Sequence, residues 1–344
     1  MKHHAGIDVS VELSSVCVVD DTGAIVREAK VASDPEALAV FLADLDRSTL
    51  RVGLEAGPLS QWIHAGLAST GFDVALLETR HVRAALSAMA VKTDRKDARG
   101  IAQLLRMGWF RPVHVKSVSA QEARALLVAR RMLQTKVLDV ELSLRGVLRG
   151  FGLKVGRVTP RTYERRVREL AAGQPVLEQI VEAMLQARVT LRRELAGLHK
   201  SVLDIVRNDE VCGRLMTLPG VGPLTSITYR AAIDDPARIA KSKSAGALFG
   251  LTPRKYQSGE KDVTGAITHA GDGAVRSMLF EAATSILCRA TRMTPLKRWA
   301  LGVAKRRGSK RARVALARKL AVIMHRMWID GTVYQPGEAS VAHG

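Results

Sequence analysis

A carboxylate set among apolar residues near the start of the chain constrains the fold more than any other feature. Asp8 stands in Gly6-Ile7-Asp8-Val9-Ser10 and reads as lying mid-strand in the first Val/Ile-rich run of a 344-residue sequence. An ionised carboxylate is costly there unless it is paired or bound to a metal ion. The segments that follow define the kind of sheet that carries it. Residues 5–9, 15–20 and 24–31 read as short strands, with Asp21-Thr22-Gly23 as a hairpin turn. Asp34-Pro35 opens a helical pattern, residues 51–55 read as a buried strand, 59–69 as a helix and 74–77 as a strand. Residues 80–89 and 94–107 read as helices.

Three antiparallel strands followed by alternating helix and strand is the element order of a ribonuclease-H-like α/β domain, although other α/β folds share parts of it. Three further acids stand at informative places. Glu55 ends the strand Val52-Gly53-Leu54-Glu55, where α/β sheets present functional groups. Asp94 and Asp97, in Lys92-Thr93-Asp94-Arg95-Lys96-Asp97-Ala98, are three apart at a helix start and share one face. If the Asp8 and Glu55 strands are neighbours, four carboxylates can converge on a pair of Mg²⁺ ions, an arrangement used in phosphodiester cleavage. Taken singly, Asp94 also fits a helix N-cap, Asp97 a surface charge, and Glu55 a partner for an arginine.

Charge supplies the partner class. Lys and Arg number 53 against 33 Asp and Glu, a net charge of +20. Such a field attracts polyanions, and nucleic acid leads because no apolar stretch approaches the ~20 residues needed to span a bilayer. No apolar signal segment opens the sequence, so a soluble cytoplasmic protein is expected. Only Cys17, Cys212 and Cys288 occur, without metal-ligand spacing, and the last two read as core packing.

Residues 116–210 read as a helical spacer. Leu177, Val181, Met184, Leu191, Leu195, Leu198, Val202 and Ile205 form a heptad-like seam, as do Leu126, Leu133, Val137, Val140, Leu144 and Val147. The seam fits a helical hairpin within one chain and a dimerising coiled coil equally well. Residues 211–334 read as helical and basic, with thirteen Lys or Arg and no acid between Glu281 and Asp330. At the centre of that segment stand Lys305, Arg306, Arg307, Lys310, Arg311 and Arg313, a run expected to contact phosphates. Residues 335–344 read as a disordered tail.

Two further clusters stand out. Leu218-Pro219-Gly220-Val221-Gly222-Pro223 has the look of a helix-hairpin-helix turn, with glycines freeing backbone N–H groups toward phosphate, or of a plain interhelical turn. Pro253-Arg254-Lys255-Tyr256-Gln257-Ser258-Gly259-Glu260-Lys261 reads as a polar loop, followed by a helix carrying Arg276, a further residue expected to contact nucleic acid. Arg254, Lys255 and Lys261 can hold a phosphate beside Ser258. No His/Asp relay is legible there to activate the serine, so the residues alone leave it an ordinary loop serine.

Together these motifs resemble the IS110 family of insertion-element transposases, DEDD-type recombinases guided by a bridge RNA. The resemblance rests on Gly6-Ile7-Asp8-Val9-Ser10, Leu54-Glu55-Ala56-Gly57 and residues 92–98, then Leu218-Pro219-Gly220-Val221-Gly222, Ser258-Gly259, Gly265-Ala266-Ile267-Thr268 and Arg276. It covers nearly the whole chain. It implies a RuvC-like nuclease domain over 1–115 whose Asp8, Glu55, Asp94 and Asp97 bind Mg²⁺. It also implies a coiled-coil linker over 116–210 and a transposase domain over 211–334 whose Ser258 joins covalently to DNA. By the same resemblance the partners are element and target DNA and a guide RNA, and the active site is composite within a dimer or tetramer. His269 and Gly273 depart from the family's usual basic residue and Asn. The nearest rival is a junction-resolving nuclease that uses the same acids with water and no covalent intermediate. An actin-like ATPase, with Asp20-Asp21-Thr22-Gly23 as a phosphate hairpin, and a DNA-architectural protein without chemistry fit less of the sequence.

Overall fold

In the computed structural model, residues 2–87 and 93–336 are described, and the chain divides into two compact units, Met1–Lys116 and Ser117–Gly344. Lys92 of the helix-start motif and residues 337–344 of the expected tail lie outside the described residues.

The first unit is built on strands β1 (His3–Asp8), β2 (Leu13–Asp20), β3 (Ile25–Ala32), β4 (Leu50–Glu55) and β5 (Asp73–Leu77). They form one sheet in the order β3-β2-β1-β4-β5, with β1, β4 and β5 parallel and β2 antiparallel to its neighbours β1 and β3. Helices α1 (Pro35–Leu42) and α2 (Ser60–Ser69) carry Leu38, Leu42, Ile63 and Leu67 onto one face, against Ala5, Ile7, Val16, Val18, Val52 and Leu54. Each of those helix residues is fully buried, worth about 1.5–3 kcal/mol apiece. Asp34 caps α1, accepting from Glu36 and Ala37 N–H, and Pro35 occupies its first turn. Helices α3 (Thr79–Leu86) and α4 (Asp94–Arg106) follow β5, and α4 packs on the other face of β1, β2 and β4.

Strand alternation dictates what that second face offers. The register places Glu28, Cys17, Gly6, Gly53 and Ala75 in one row across all five strands. The row is a trough of small side chains in which α4 lies. A Cβ on Gly6 would come within 2.2 Å of the Ala98 carbonyl oxygen, and one on Gly53 within 2.4 Å of Leu105 Cδ1. Cys17 packs with Val19, Ala98 and Ala102 in the same layer.

The second unit is helical: α5 (Val118–Gly150), α6 (Tyr163–Ala171), α7 (Pro175–Arg207), α8 (Glu210–Met216), α9 (Pro223–Ile233), α10 (Ala245–Leu248), α11 (Gly273–Thr284), α12 (Pro295–Arg307) and α13 (Ser309–Asp330). A two-stranded antiparallel hairpin, β6 (Pro253–Ser258) and β7 (Lys261–Ile267), interrupts it. Helices α5 and α7, 33 residues each, pack against one another within the chain. Of the expected seam, Leu177, Val181, Val202, Val137 and Leu144 are buried, whereas Ile205 is exposed. The hairpin has one cluster toward its tip, including Leu144, Leu148, Tyr163, Val167, Val181 and Leu185, and another at its base around Ala123, Val202 and Val206. At the tip Arg188 is fully buried between Glu141 and Glu164, with its guanidinium 4.7 Å from the Tyr163 ring centre. The main core joins α9, α11 and α13 around Tyr229, Leu279, Leu316 and Leu320, and Tyr229 donates to the Ala321 carbonyl at 2.7 Å. No helix among the described residues is long and apolar enough to cross a membrane.

Candidate active site

The same alternation that empties the centre of the sheet delivers its acids. Asp8 and Glu55 stand two residues beyond Gly6 and Gly53, so both share the α4 face. Asp8 is not mid-strand as the sequence suggests. It is the last residue of β1 and half-buried, which eases the desolvation problem that made it conspicuous. Because β1 and β4 are parallel, with Ile7 opposite Leu54, Asp8 and Glu55 reach the same sheet edge from neighbouring strands. There they line a cleft of about 340 Å³ together with Asp97, Val9, Ser10, Val11 and residues 56–59 of the turn into α2.

Helix α4 supplies the third acid. Thr93, not Asp94, caps it, its side chain accepting from Lys96 N–H. The N-cap reading of Asp94 therefore falls. Asp94 and Asp97 both sit in the first turn, where carboxylates complement the helix dipole. Asp97 is half-buried and faces the cleft, while Asp94 is exposed and is not among its lining residues. Among the described residues, no three His, Cys, Asp or Glu side chains lie close enough to hold an ion between them. The polar side chains of the lining are three carboxylates and the Ser10 hydroxyl, oxygen donors without nitrogen or sulfur. That suits a hard dication, which keeps much of its water and takes one or two carboxylates plus substrate phosphates.

A further acid on this face was not singled out from the sequence. Glu28, on edge strand β3, accepts from Arg95 Nε at 2.7 Å and from Arg99 Nη2 at 2.8 Å. Hydrogen bonding from Arg99 is the main cause holding its carboxyl down to about 2. Beside it, burial followed by the Glu28 contact pushes the Cys17 thiol up to about 12. The signal in the sequence was faint: a lone acid in a strand, and two arginines four apart flanking Asp97.

The Asp20-Asp21-Thr22-Gly23 turn lies at the opposite sheet edge, since Asp20 pairs with His3 while Asp8 pairs with Ser15. It holds itself together by hydrogen bonds from Thr22 and Ala24 to Asp20 and cannot share a phosphate with Asp8.

In the second unit, Ser258 is not in an open loop but ends β6, opposite Lys261 at the tip of the exposed hairpin. Gly259, at φ +55°, makes the tight turn. Lys255 pairs with Asp262 at 3.3 Å, while Arg254 and Lys261 are exposed on the same hairpin. Arg276 is committed elsewhere: its guanidinium donates to the Phe249 and Ala270 carbonyls at 2.9 and 3.0 Å, bracing the segment that leads out of the hairpin. Asp272 caps the same helix and pairs with Arg124 of α5. In the Gly220-Val221-Gly222 turn between α8 and α9, Val221 is buried and its N–H donates to the Leu218 carbonyl, so its expected contact with nucleic acid is withdrawn. Gly220, at φ +80°, has a packing role as well, because a Cβ there would meet the Ala282 carbonyl at 2.7 Å. Lys305, Arg306 and Arg307 end α12, and Lys310 and Arg311 open α13, all exposed; Arg313 is half-buried. Cys17 and Cys212 are buried, but Cys288 is exposed and does not pack a core.

Comparison with known proteins falls on these same regions. A family described as Transposase, of the DEDD type found in IS110 elements, matches residues 5–152, and the IS116/IS110/IS902 transposase family matches residues 212–300. The transposase for insertion sequence element IS1111A of Coxiella burnetii is 27% identical over 341 residues, covering 96% of this chain and 91% of the relative. A probable family 20 transposase of Pseudomonas aeruginosa is 26% identical over 292 residues, covering 83% and 86%. The transposase for IS1328 of Yersinia enterocolitica is 25% identical over 285 residues, covering 82% and 85%. With the DEDD region on the sheet that gathers Asp8, Glu55 and Asp97 and the second region running through the Ser258 hairpin, the chain belongs to the IS110/IS116/IS902 family of insertion-element transposases.

Proposed function

We propose that the chain excises and inserts its element by cutting and rejoining DNA strands under RNA guidance, with Asp8, Glu55, Asp94 and Asp97 serving a Mg²⁺ site and Ser258 acting as the nucleophile. The observation that carries this reading is the single cleft lined by Asp8, Glu55 and Asp97. A divalent metal fits a DEDD-type domain, and when bound it would polarise the scissile phosphate. Ser258 Oγ forms an ester with that phosphorus as the bond to the 3′ oxygen breaks. The serine proton passes to solvent and the departing 3′ oxygen gains one, leaving a 5′-phosphoserine and a free 3′ hydroxyl. The 3′ hydroxyl of the partner strand then displaces the serine, which recovers its proton, so no bond energy is lost. Exposed Arg254 and Lys261 hold the phosphate beside the serine.

Sequence choice falls to RNA–DNA pairing, with the protein gripping backbones. The basic run supports that division. Lys310 and Arg311 open α13, where the helix dipole disfavours cations, so their placement serves an anionic partner rather than the helix. Assembly into a dimer or tetramer, with acids and serine drawn from different protomers, is supported by apolar residues that α5 leaves in solvent: Val128 at 69%, Met132 at 54% and Leu142 at 66% exposed.

The test is excision in cells from a plasmid carrying the gene with its native flanking DNA, read by amplifying rejoined donor and circle junctions. Ser258→Ala and Asp97→Asn should both abolish junctions at normal protein level. Junctions that survive in Ser258→Ala but not in Asp97→Asn would refute the covalent route and establish a water-using nuclease.

A further inference from the structure

We infer that Glu28 is a positioning residue for the metal site: by clamping Arg95 and Arg99 it fixes helix α4 so that Asp97 faces the cleft. The inference rests on the reading of Asp97 as a carboxylate that serves the metal. Three observations carry it. First, α4 lies in a trough floored by Gly6 and Gly53 and lined by small residues. Ile101, Leu104 and Leu105 anchor the C-terminal half of α4 beside Leu77 and Val82, but nearer its start the helix meets the sheet through Ala98 and Ala102, so the end that carries Asp97 has no interlocking apolar side chain to set it. Second, the trough ends at β3 in a carboxylate only 9% exposed that takes both guanidinium groups at once. Arg95 and Arg99 are four residues apart, on one side of α4, and Asp97 stands between them in sequence. A two-point hold on one side of a helix fixes both its rotation and its register. Third, Glu28 is not among the residues that line the cleft, and β2 lies between its edge strand and β1, which carries Asp8. Glu28 therefore reaches the metal site through the helix it holds.

A charge effect and a clamp predict different signs for the two partners. If Glu28 and Arg99 acted only through the local field, removing the acid would weaken a dication's binding and removing the arginine would strengthen it. If they act as one clamp, both removals weaken binding, and the double variant is no worse than the poorer single one because the same contact is lost.

The test uses the full-length chain and Mn²⁺ as the probe, with affinity read by electron paramagnetic resonance without DNA. Glu28→Ala and Arg99→Ala are each expected to bind Mn²⁺ about tenfold more weakly, the lower end of what is lost when residues behind metal ligands are removed. The double variant should match them. Glu28→Gln, which keeps the side chain's shape, carries the same expectation should the alanine variant fail to fold. Leu38→Ala, in the core on the opposite face of the sheet, should lower stability and leave Mn²⁺ affinity unchanged, so instability alone cannot mimic the clamp. Opposite signs for Glu28→Ala and Arg99→Ala, fully additive losses, or unchanged affinity alongside a weakened Asp97→Asn would overturn the clamp. If Asp97→Asn itself binds as wild type, the reading of Asp97 falls and the inference falls with it.

Discussion

Replacing Gly6 with alanine puts a methyl group where the backbone of α4 already lies. The new Cβ would be 2.2 Å from the Ala98 carbonyl oxygen and 2.4 Å from the Ala102 nitrogen, against an ordinary contact of at least 3.4 Å. Both atoms belong to hydrogen-bonded helix backbone, so no side chain can swing aside. Helix α4 must retreat from the sheet by about 1 Å, opening the layer formed by Cys17, Val19, Ala98 and Ala102. Overpacking of this kind costs about 1–3 kcal/mol, and the rigidity of the obstacle places this case at the upper end. For a unit of 116 residues that corresponds to a fall in melting temperature of roughly 10 °C. The matched control is Gly146→Ala in the interior of α5, where a Cβ meets nothing within 4 Å. There the same substitution removes only backbone freedom from the unfolded chain and should stabilise by about 0.5–1 kcal/mol. Differential scanning calorimetry of the two full-length variants checks the pair. A Gly6→Ala protein melting within about 2 °C of wild type, or two variants shifted in the same direction, would refute the close-packing argument. Because α4 carries Asp97, excision should fall in Gly6→Ala and persist in Gly146→Ala.

The remaining expectations concern other parts of the molecule. Glu28 has a folded-state pKa of about 2 against an ordinary 4.5, so its contribution is fully present above pH 4.5 and is lost as the pH falls toward 2. The acid limb of a stability profile should flatten over that window in Glu28→Gln. Iodoacetamide at pH 8 should label Cys288 alone in the folded protein, because burial pushes the Cys17 and Cys212 thiols up to about 12; mass spectrometry after digestion reads the outcome. Arg188→Ala strands Glu141 and Glu164 at the hairpin tip and should cost about 3 kcal/mol in urea unfolding, whereas Arg188→Met should cost less.

Much of the first unit is legible in the sequence. Its strands are short Val/Ile-rich runs bounded by turn residues, and its helices open on recognisable signals such as Asp34-Pro35, so their ends fall within a few residues of those observed. The placement of Glu55 at a strand end followed from the same pattern. What escaped is what depends on residues distant in the chain. Glu28 meets partners 67 and 71 positions away, and nothing local marks it. Val221 and Arg276 looked available for phosphate because their competitors, the Leu218, Phe249 and Ala270 carbonyls, become relevant only once the turns are folded. The β6–β7 hairpin was read as a loop because almost all of its residues are exposed, so no buried face imposes a two-residue period on the sequence.

The long hairpin of α5 and α7 has a consequence for cooperativity. Its two clusters are separated by a stretch in which Leu133, Leu191, Leu195 and Leu198 are only half-buried, so the helices are joined weakly halfway along their length. Each helix rises about 1.5 Å per residue, giving an arm near 50 Å, too long for such a waist to transmit unfolding intact from end to end. The tip, with its own apolar cluster and the buried Arg188, is built to behave as a separate foldon. Amide exchange along the arm should therefore be slow at both ends and fast in the middle. An arm wound this way can lose order at its waist while the tip stays folded.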